Sequence, residues 1–380
     1  MGFDVIVLGL GAMGSAATYH LARRGRRVLG IEQFTSPHDR GSSHGGSRII
    51  RQAYWESPEY IPLVLRAYEL WRELERDAGT RLMEITGGLI LGTPECDLVS
   101  RSTGAAKVHS IPFELLERKE VDRRYPVLRL APEDVGVFEP SAGYLVPEES
   151  IRAALRGAVE RRAEVHFEES VIEWKTTASG VQVRTDRGVY EAGHLIITAG
   201  PWASAVMPSE FPLRVTRQVM VWIQPRSGVA SFVPERFPIF LSDHGDGHPA
   251  YGFPAIDGQG GGVKAAIHGS EEECTPESVD RTVRPADIDA LIRKLKERIP
   301  ALDGEVVRAE TCLYTMTPDE HFILGQHPDA AACTVACGFS GHGFKFASVI
   351  GEILADLATN GTTAHPIDLF SPGRFRAQRS

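Results

Sequence analysis

Hydrophobic and polar positions alternate along the chain in blocks that switch between strand and helix periods. Phe3–Leu8 is a mostly apolar run of strand length, and glycines follow at once at positions 9, 11 and 14. Residues 14–24 form a helix-length segment in which Ser15, Ala16, Ala17 and Ala22 are small enough to pack close to a sheet. Gly25 suits its C-cap. A second strand over 27–31 closes on Glu32. A long helix is predicted over 62–78, irregular strand-rich chain over 83–147 with a strand at 85–92, and a helix over 150–162. Alternating strands follow through 181–184, and a buried strand at 195–197 runs into Thr198-Ala199-Gly200-Pro201-Trp202. Residues 210–270 read as strands again, notably 219–223 and 261–268. Over 285–298, Ile288, Leu291, Ile292 and Leu295, continued by Ile299, lie on one helical stripe. A strand pair, the turn from Gly338 to Lys345 and a final helix over 346–359 complete the chain.

Dinucleotide-type βα units thus stand at both ends and in the middle, with sheet-rich blocks between them. The arrangement predicts an α/β (α+β, two-domain) fold. A Rossmann-like cofactor domain (1–82, 148–218 and 305–380) interleaves with an antiparallel-sheet substrate domain (83–147 and 219–304).

The first glycine cluster has a mechanical reading. Gly9 makes the tight turn from strand to helix. Gly11 lets backbone amides approach a pyrophosphate at the helix N-terminus, and Gly14 allows close helix–strand packing. Glu32, 18 residues past Gly14, can accept hydrogen bonds from a ribose. An acid there suits an unphosphorylated ribose, which leaves FAD and NAD both open. The polar loop at 41–48, with Ser43, His44 and Arg48, can lie along a pyrophosphate or an aromatic ring system. Ala199 and Gly200, at the end of the 195–197 strand, belong beside the same cofactor.

Composition narrows the partners. The 380 residues carry a net charge of −9 and show neither a basic stripe for nucleic acid nor a Lys/Arg run for anionic lipid. The five cysteines are odd in number and scattered without a CxxC pair, so neither a disulfide framework nor a zinc site is indicated, and the histidines show no ligand spacing. No apolar run approaches the roughly 18 residues that cross a bilayer. The opening strand lacks the charge and length of a secretory signal. These readings point to a cytoplasmic protein with small-molecule partners.

Three charged positions interrupt apolar context. Lys264 stands inside Val263-Lys264-Ala265-Ala266-Ile267, where a charge is costly unless paired or used. Arg51 follows Ile49-Ile50, and Lys345 lies between Phe344 and Phe346. Cys312 sits in an unusually polar setting for a core thiol, with Tyr314, the Thr317-Pro318-Asp319 turn and His321 after it.

The segments Cys312–Phe322 and Gly338–Phe346, with Ser42-Ser43-His44-Gly45 and Arg48-Ile49-Ile50-Arg51, resemble the monomeric sarcosine oxidase and N-methyltryptophan oxidase family over nearly the whole chain. That resemblance implies a monomeric flavoprotein amine oxidase that uses oxygen. FAD is held through an 8α-S-cysteinyl link to Cys312 and lies over Gly341, Gly343 and Phe344. The resemblance assigns a substrate carboxylate to Arg51 and Lys345, oxygen activation to Lys264, the pocket to His268, Tyr251 and Tyr314, and the flavin ring to Arg48. The implied reaction is oxidative demethylation of an N-alkyl amino acid, with hydrogen peroxide as product. Larger N-methyl amino acids, cyclic imino acids or glycated amino acids remain open as substrates. A nicotinamide-dependent dehydrogenase and a flavin carrier without turnover are more distant alternatives.

Overall fold

Strand Phe3–Leu8, helix Ala12–Arg23 and strand Val28–Ile31 form the first βαβ unit in a computed structural model that describes residues 2–207 and 211–378. The helix begins two residues before the expected Gly14, because Gly11 takes the N-cap position. Five strands run parallel at the centre of the first sheet, in the spatial order Glu164–His166, Val28–Ile31, Phe3–Leu8, Val189–Ile197, Cys333–Cys337. Chain order reverses between Phe3–Leu8 and Val189–Ile197. Such a reversal opens a crevice at the carboxyl ends of the strands. Antiparallel strands Val171–Thr177, Gly180–Thr185 and Ile323–Gln326 complete the eight-stranded sheet.

Helices Ala12–Arg23, Ile61–Ala78, Pro147–Glu160 and Ala347–Asn360 supply the largest core on this sheet, with Leu21, Trp71, Ile151 and Ile350 among its buried members. The small residues of the first helix are buried there, as their size permits.

The second sheet has nine strands. Helix Pro285–Arg298 lays Leu291 and Leu295, with Ile299 just beyond, against Val221, Ile223, Val263 and Ala265. Side chains alternate along a strand. With Val263 and Ala265 committed to that helix, the opposite face carries Lys264 and Ala266, and the latter packs with Met220, Trp222 and Cys312. Strand period therefore turns a lysine and a cysteine from different parts of the chain toward the first sheet. A three-stranded sheet of Arg48–Ile50, Gly143–Leu145 and Met83–Ile85 lies beside them.

Several expected boundaries move. Strand Arg214–Gln224 pairs along its whole length with Glu305–Met316. The division expected at 218 cuts this ladder, and residues 305–316, expected with the cofactor domain, pair in the second sheet. That sheet is mixed rather than purely antiparallel, because Ile239–Ser242 runs parallel to Gly88–Gly92. The strand expected over 85–92 is two, Met83–Ile85 and Gly88–Gly92, separated at Gly87, whose φ is +75°. The strand expected over 261–268 spans Val263–Ile267 and ends one residue before His268.

Among the described residues no helix is long and apolar enough to cross a membrane, and no group of His, Cys, Asp and Glu is arranged to hold a metal ion. None of the five cysteines is joined in a disulfide.

Candidate active site

A cavity of about 440 Å³ occupies the crevice. Its floor consists of turns that leave the carboxyl ends of the parallel strands. Gly9 and Gly11 follow Phe3–Leu8, Glu32 follows Val28–Ile31, Ala199 and Gly200 follow Val189–Ile197, and Gly338 follows Cys333–Cys337. Gly9 has φ +86°, and a Cβ on it would sit 2.6 Å from the Thr198 carbonyl oxygen. Gly14 does not line the cavity. A Cβ there would lie 1.8 Å from the Gly9 oxygen, so its role is to let the helix touch the turn. Thr198, unremarked in the sequence reading, donates its hydroxyl to Leu8 O at 3.0 Å and Gly9 O at 2.7 Å, tying the two strand ends together.

Glu32 is buried and accepts from Leu10 N at 2.8 Å and Phe34 N at 3.1 Å. Burial raises its pKa, while the amides of Leu10, Phe34 and Gln33 oppose the rise. No side chain caps the first turn of helix Ala12–Arg23, which leaves its amides for an anion at the cavity floor. An uncapped helix start, an acid at the second strand end and glycine backbone between them match the parts of a dinucleotide: pyrophosphate on the amides, ribose on the carboxylate. The residues present fit FAD.

The opposite wall comes from the second sheet and the 41–48 loop. Leu313, Tyr314 and Thr315 line it, with Ser42, Ser43 and Arg48. Ser42 Oγ donates to Leu313 O at 2.5 Å, and Arg48 Nη2 donates to Ser42 O at 2.9 Å. His44, expected beside the cofactor, is not among the residues that line the cavity. Its Nε2 lies 3.1 Å from Thr311 O, and its Nδ1 has no hydrogen-bond partner among the described residues. Burial, reinforced by Arg48, pushes its pKa down to about 4. Cys312 is 2% exposed, with Sγ 3.8 Å from Arg48 Nη2 and 3.9 Å from Gly41 O, both belonging to lining residues. Gly341, Gly343 and Phe344 line the end of the cavity nearest the last helix. Gly341 leaves room for the Tyr314 ring, which a Cβ would approach to 2.2 Å.

Beyond that end lies a cluster of buried charge. Arg51 is 3% exposed and donates to Glu56 Oε2 at 2.7 Å and to Ala53 O, with the Tyr54 ring 4.6 Å from its guanidinium. Burial opposes the charge on Glu56, but Arg51, His342 and Lys345 carry its pKa down to about 2. Lys345 Nζ donates to His342 O at 2.8 Å and reaches Tyr54 Oη at 3.5 Å. Burial, opposed by Glu56 and helped by Arg51, brings its pKa down to about 7. The Tyr54 hydroxyl is 2.6 Å from His342 Nδ1. Tyr54, Glu56 and His342 escaped the sequence reading. The polar position Glu56, five residues after Arg51, was the available signal.

His268, although past its strand, has its ring 5.7 Å from Tyr314 and 6.4 Å from Tyr251. Burial holds its pKa at about 4, so the imidazole is neutral near pH 7. Lys264 is 3% exposed and lies in a central strand rather than at an edge. Its Nζ donates to Gly45 O, Ser47 O and Ser47 Oγ at 2.7, 2.9 and 3.2 Å, with the Phe253 ring 4.8 Å away. Burial drives its pKa well below the ordinary lysine range, and Arg48 adds to the effect. The structure thus gathers two groups: Arg51, Lys345 and His268 share electrostatic contact with Glu56, and Lys264 adjoins Arg48 and Cys312.

This architecture, a dinucleotide crevice facing a second sheet that carries buried cations, is that of an FAD-dependent oxidoreductase. The FAD dependent oxidoreductase (DAO) family matches residues 4–357, and the chain belongs to that family. Within it, the chain belongs with the monomeric sarcosine oxidases and N-methyl-L-tryptophan oxidases. It is 48% identical over 377 residues to the monomeric sarcosine oxidase of Streptomyces avermitilis, covering 99% of this chain and 98% of that one. It is 33% identical to the N-methyl-L-tryptophan oxidase of Yersinia pestis over 378 residues, covering 99% of this chain and all of the relative. Among solved structures, NikD, described as an unusual amino acid oxidase essential for nikkomycin biosynthesis, superposes with a TM-score of 0.85 at 26% identity, covering 97% of each chain. The family is FAD dependent, which sets the nicotinamide alternative aside.

Proposed function

We propose that this chain oxidatively demethylates a secondary N-methyl amino acid of sarcosine type. The products are the primary amino acid, formaldehyde and hydrogen peroxide, with oxygen and water consumed. The observation that carries the reading is the pairing of two buried cations, Arg51 and Lys345, beside neutral His268 at the end of the cofactor cavity. Arg51 offers a fork suited to a carboxylate, and Lys345 a point charge. With the carboxylate anchored there, the amine and its methyl group extend toward Tyr251, Tyr314 and His268. A neutral imidazole and two phenols do not add positive charge beside an amine that must lose its proton before oxidation.

FAD, when bound, supplies a two-electron acceptor for the hydride equivalent leaving the methyl carbon and delivers the electrons to oxygen. Glu32 and the glycine turns would hold its nucleotide half, and Arg48 would face its ring system. Lys264, in its protonated form, would place a positive charge where oxygen gains negative charge, in a setting too buried for water to screen it. Cys312 is the residue we assign to the covalent 8α-S-cysteinyl tether, with Arg48 as the adjacent cation. A monomer in the cytoplasm completes this reading; free cysteines support a reducing compartment.

Anaerobic mixing with sarcosine, N-methyltryptophan, a cyclic imino acid and a glycated amino acid tests the assignment. Anaerobic bleaching of the flavin should be fastest with sarcosine, and once oxygen is admitted so should turnover to formaldehyde and hydrogen peroxide. Bleaching by none of the four would overturn it. Trichloroacetic acid should precipitate yellow wild-type protein and colourless Cys312→Ser; colour retained by the variant would move the tether elsewhere.

A further inference from the structure

Helix Pro147–Glu160 starts beside the 41–48 loop, and its first turn carries Glu148. Glu148 Oε1 accepts from Gly45 N at 2.7 Å and Gly46 N at 3.1 Å. The peptide group that joins Gly45 to Gly46 therefore donates to Glu148 through its N–H. Its carbonyl, Gly45 O, accepts from Lys264 Nζ at 2.7 Å. One peptide unit connects the carboxylate to the ammonium. Polarisation along such a chain strengthens both hydrogen bonds, and charge at each end adds to the effect.

The charges around Lys264 make this connection matter. Its three acceptors, Gly45 O, Ser47 O and Ser47 Oγ, are all neutral. Arg48, from the neighbouring strand, donates to the same Ser47 carbonyl at 2.8 Å and adds a second positive charge. Cys312 and Glu310 face Lys264 from strand Glu305–Met316, and Glu310 is engaged by Arg308. Glu148 is the carboxylate committed to the loop that binds both cations. Gly45 itself has φ +94°, and a Cβ there would lie 2.8 Å from Met220 Sδ, so the loop has little freedom to present its carbonyl differently.

We infer that Glu148 is a positioning residue which, through the Gly45–Gly46 peptide, keeps Lys264 charged and held against the 41–48 loop that walls the cavity. The inference rests on the proposal that Lys264 serves the oxygen step. Glu148→Gln removes the charge while keeping size and one acceptor oxygen. Holoenzymes of wild type, Glu148→Gln, Glu148→Asp, Lys264→Met and the Gln/Met double variant should be compared by stopped flow. Anaerobic reduction and reoxidation by oxygen are followed separately across pH. A second readout needs no turnover: the pH dependence of Lys264 acylation by acetic anhydride, followed by mass spectrometry.

In Glu148→Gln, the alkaline fall in reoxidation and the midpoint of Lys264 acylation should both move down by at least about one pH unit, the scale of losing a nearby opposite charge. Anaerobic reduction should keep its wild-type rate. Glu148→Asp should retain most of the wild-type midpoint, and Glu148→Gln should add nothing to Lys264→Met. An acylation midpoint unmoved in Glu148→Gln overturns the coupling between the two residues. A moved midpoint together with wild-type reoxidation in Lys264→Met overturns instead the oxygen role of Lys264, and leaves the coupling standing.

Discussion

The two walls of the central cavity recognise by different means. The floor at Gly9 and Gly11, with Glu32 at the next strand end, presents mostly backbone. Its turns and close approaches are fixed largely by which residues lack a Cβ, and this part of the floor falls within one βαβ unit of the sequence. The facing wall and its end bind with side chains. Arg51, Lys264, Cys312 and Lys345 come from four separated segments and meet only because strand alternation and the last helix start bring them together. In the function proposed above, the floor serves affinity for the cofactor and the side chains around the facing wall serve the chemistry, at the cost of burying charge. Damage to the floor should therefore abolish loading, and damage to the wall should alter single steps.

The sharpest test of the floor is Gly14→Ala. A methyl group 1.8 Å from Gly9 O cannot be accommodated without moving the strand-to-helix turn. Nearly complete loss of bound flavin is expected, read as the ratio of absorbance at 450 to 280 nm in purified protein. The control is Gly104→Ala, whose Cβ meets nothing within 4 Å and whose flavin content should stay at the wild-type value. Equal loading in both variants would break the distinction between a backbone floor and a side-chain wall.

On the wall, Lys264→Met should load flavin and accept electrons from substrate at close to the wild-type rate. Its reoxidation by oxygen should fall about 10²–10³-fold, the scale for removing one preorganised electrostatic donor. Double-mixing stopped flow separates the two half-reactions. A comparable fall in both would make Lys264 part of the scaffold.

Legibility in the sequence follows the same division. The floor could be read because strand, glycines, helix and acid fall within 30 residues, each with a local steric reason. The helix over Pro285–Arg298 was equally legible, since its apolar stripe is strictly periodic. The wall was located largely through family resemblance, because nothing near Lys264 in sequence shows that it will be held by Gly45 and Ser47, more than 200 residues away. Glu56, Tyr54 and His342 went unread for the same reason: their meaning is a spatial relation to Arg51 and Lys345. The ladder between Arg214–Gln224 and Glu305–Met316 was missed because it joins segments separated by a whole helix and four further strands.

Arg51 asks whether a residue of the wall can be structural and functional at once. Arg51→Met leaves the Glu56 carboxylate buried without its 2.7 Å partner. Truncating one side of a buried hydrogen-bonded pair costs about 2–5 kcal/mol. The low end, roughly 2–3, is expected because Lys345 also stabilises the Glu56 charge. Chemical denaturation measures the loss. Adding Glu56→Gln should recover most of the stability but none of the substrate affinity. Recovery of both would remove Arg51 from the carboxylate site.

The test that bears most directly on the two-cation clamp is the pH dependence of Lys345. Its pKa is about 7 in the folded chain, against an ordinary value of 10.5, so folding favours its neutral form. Below pH 7 both folded and unfolded chains hold the proton, and the cost of burying the charge is fully present. Between pH 7 and 10.5 the unfolded chain binds more protons, so this group makes stability rise with pH across that window. Lys345→Met should therefore be more stable than wild type at pH 6, with the advantage shrinking toward pH 10. Ligand binding must run the other way, because a carboxylate prefers the charged amine. The dissociation constant of acetate, followed through flavin absorbance, should weaken as pH climbs past 7, by at most about tenfold per unit for a single proton. It should be flat over the same range in Lys345→Met. A flat wild-type profile would leave Arg51 as the whole anion site and reduce Lys345 to packing against Tyr54 and Phe346.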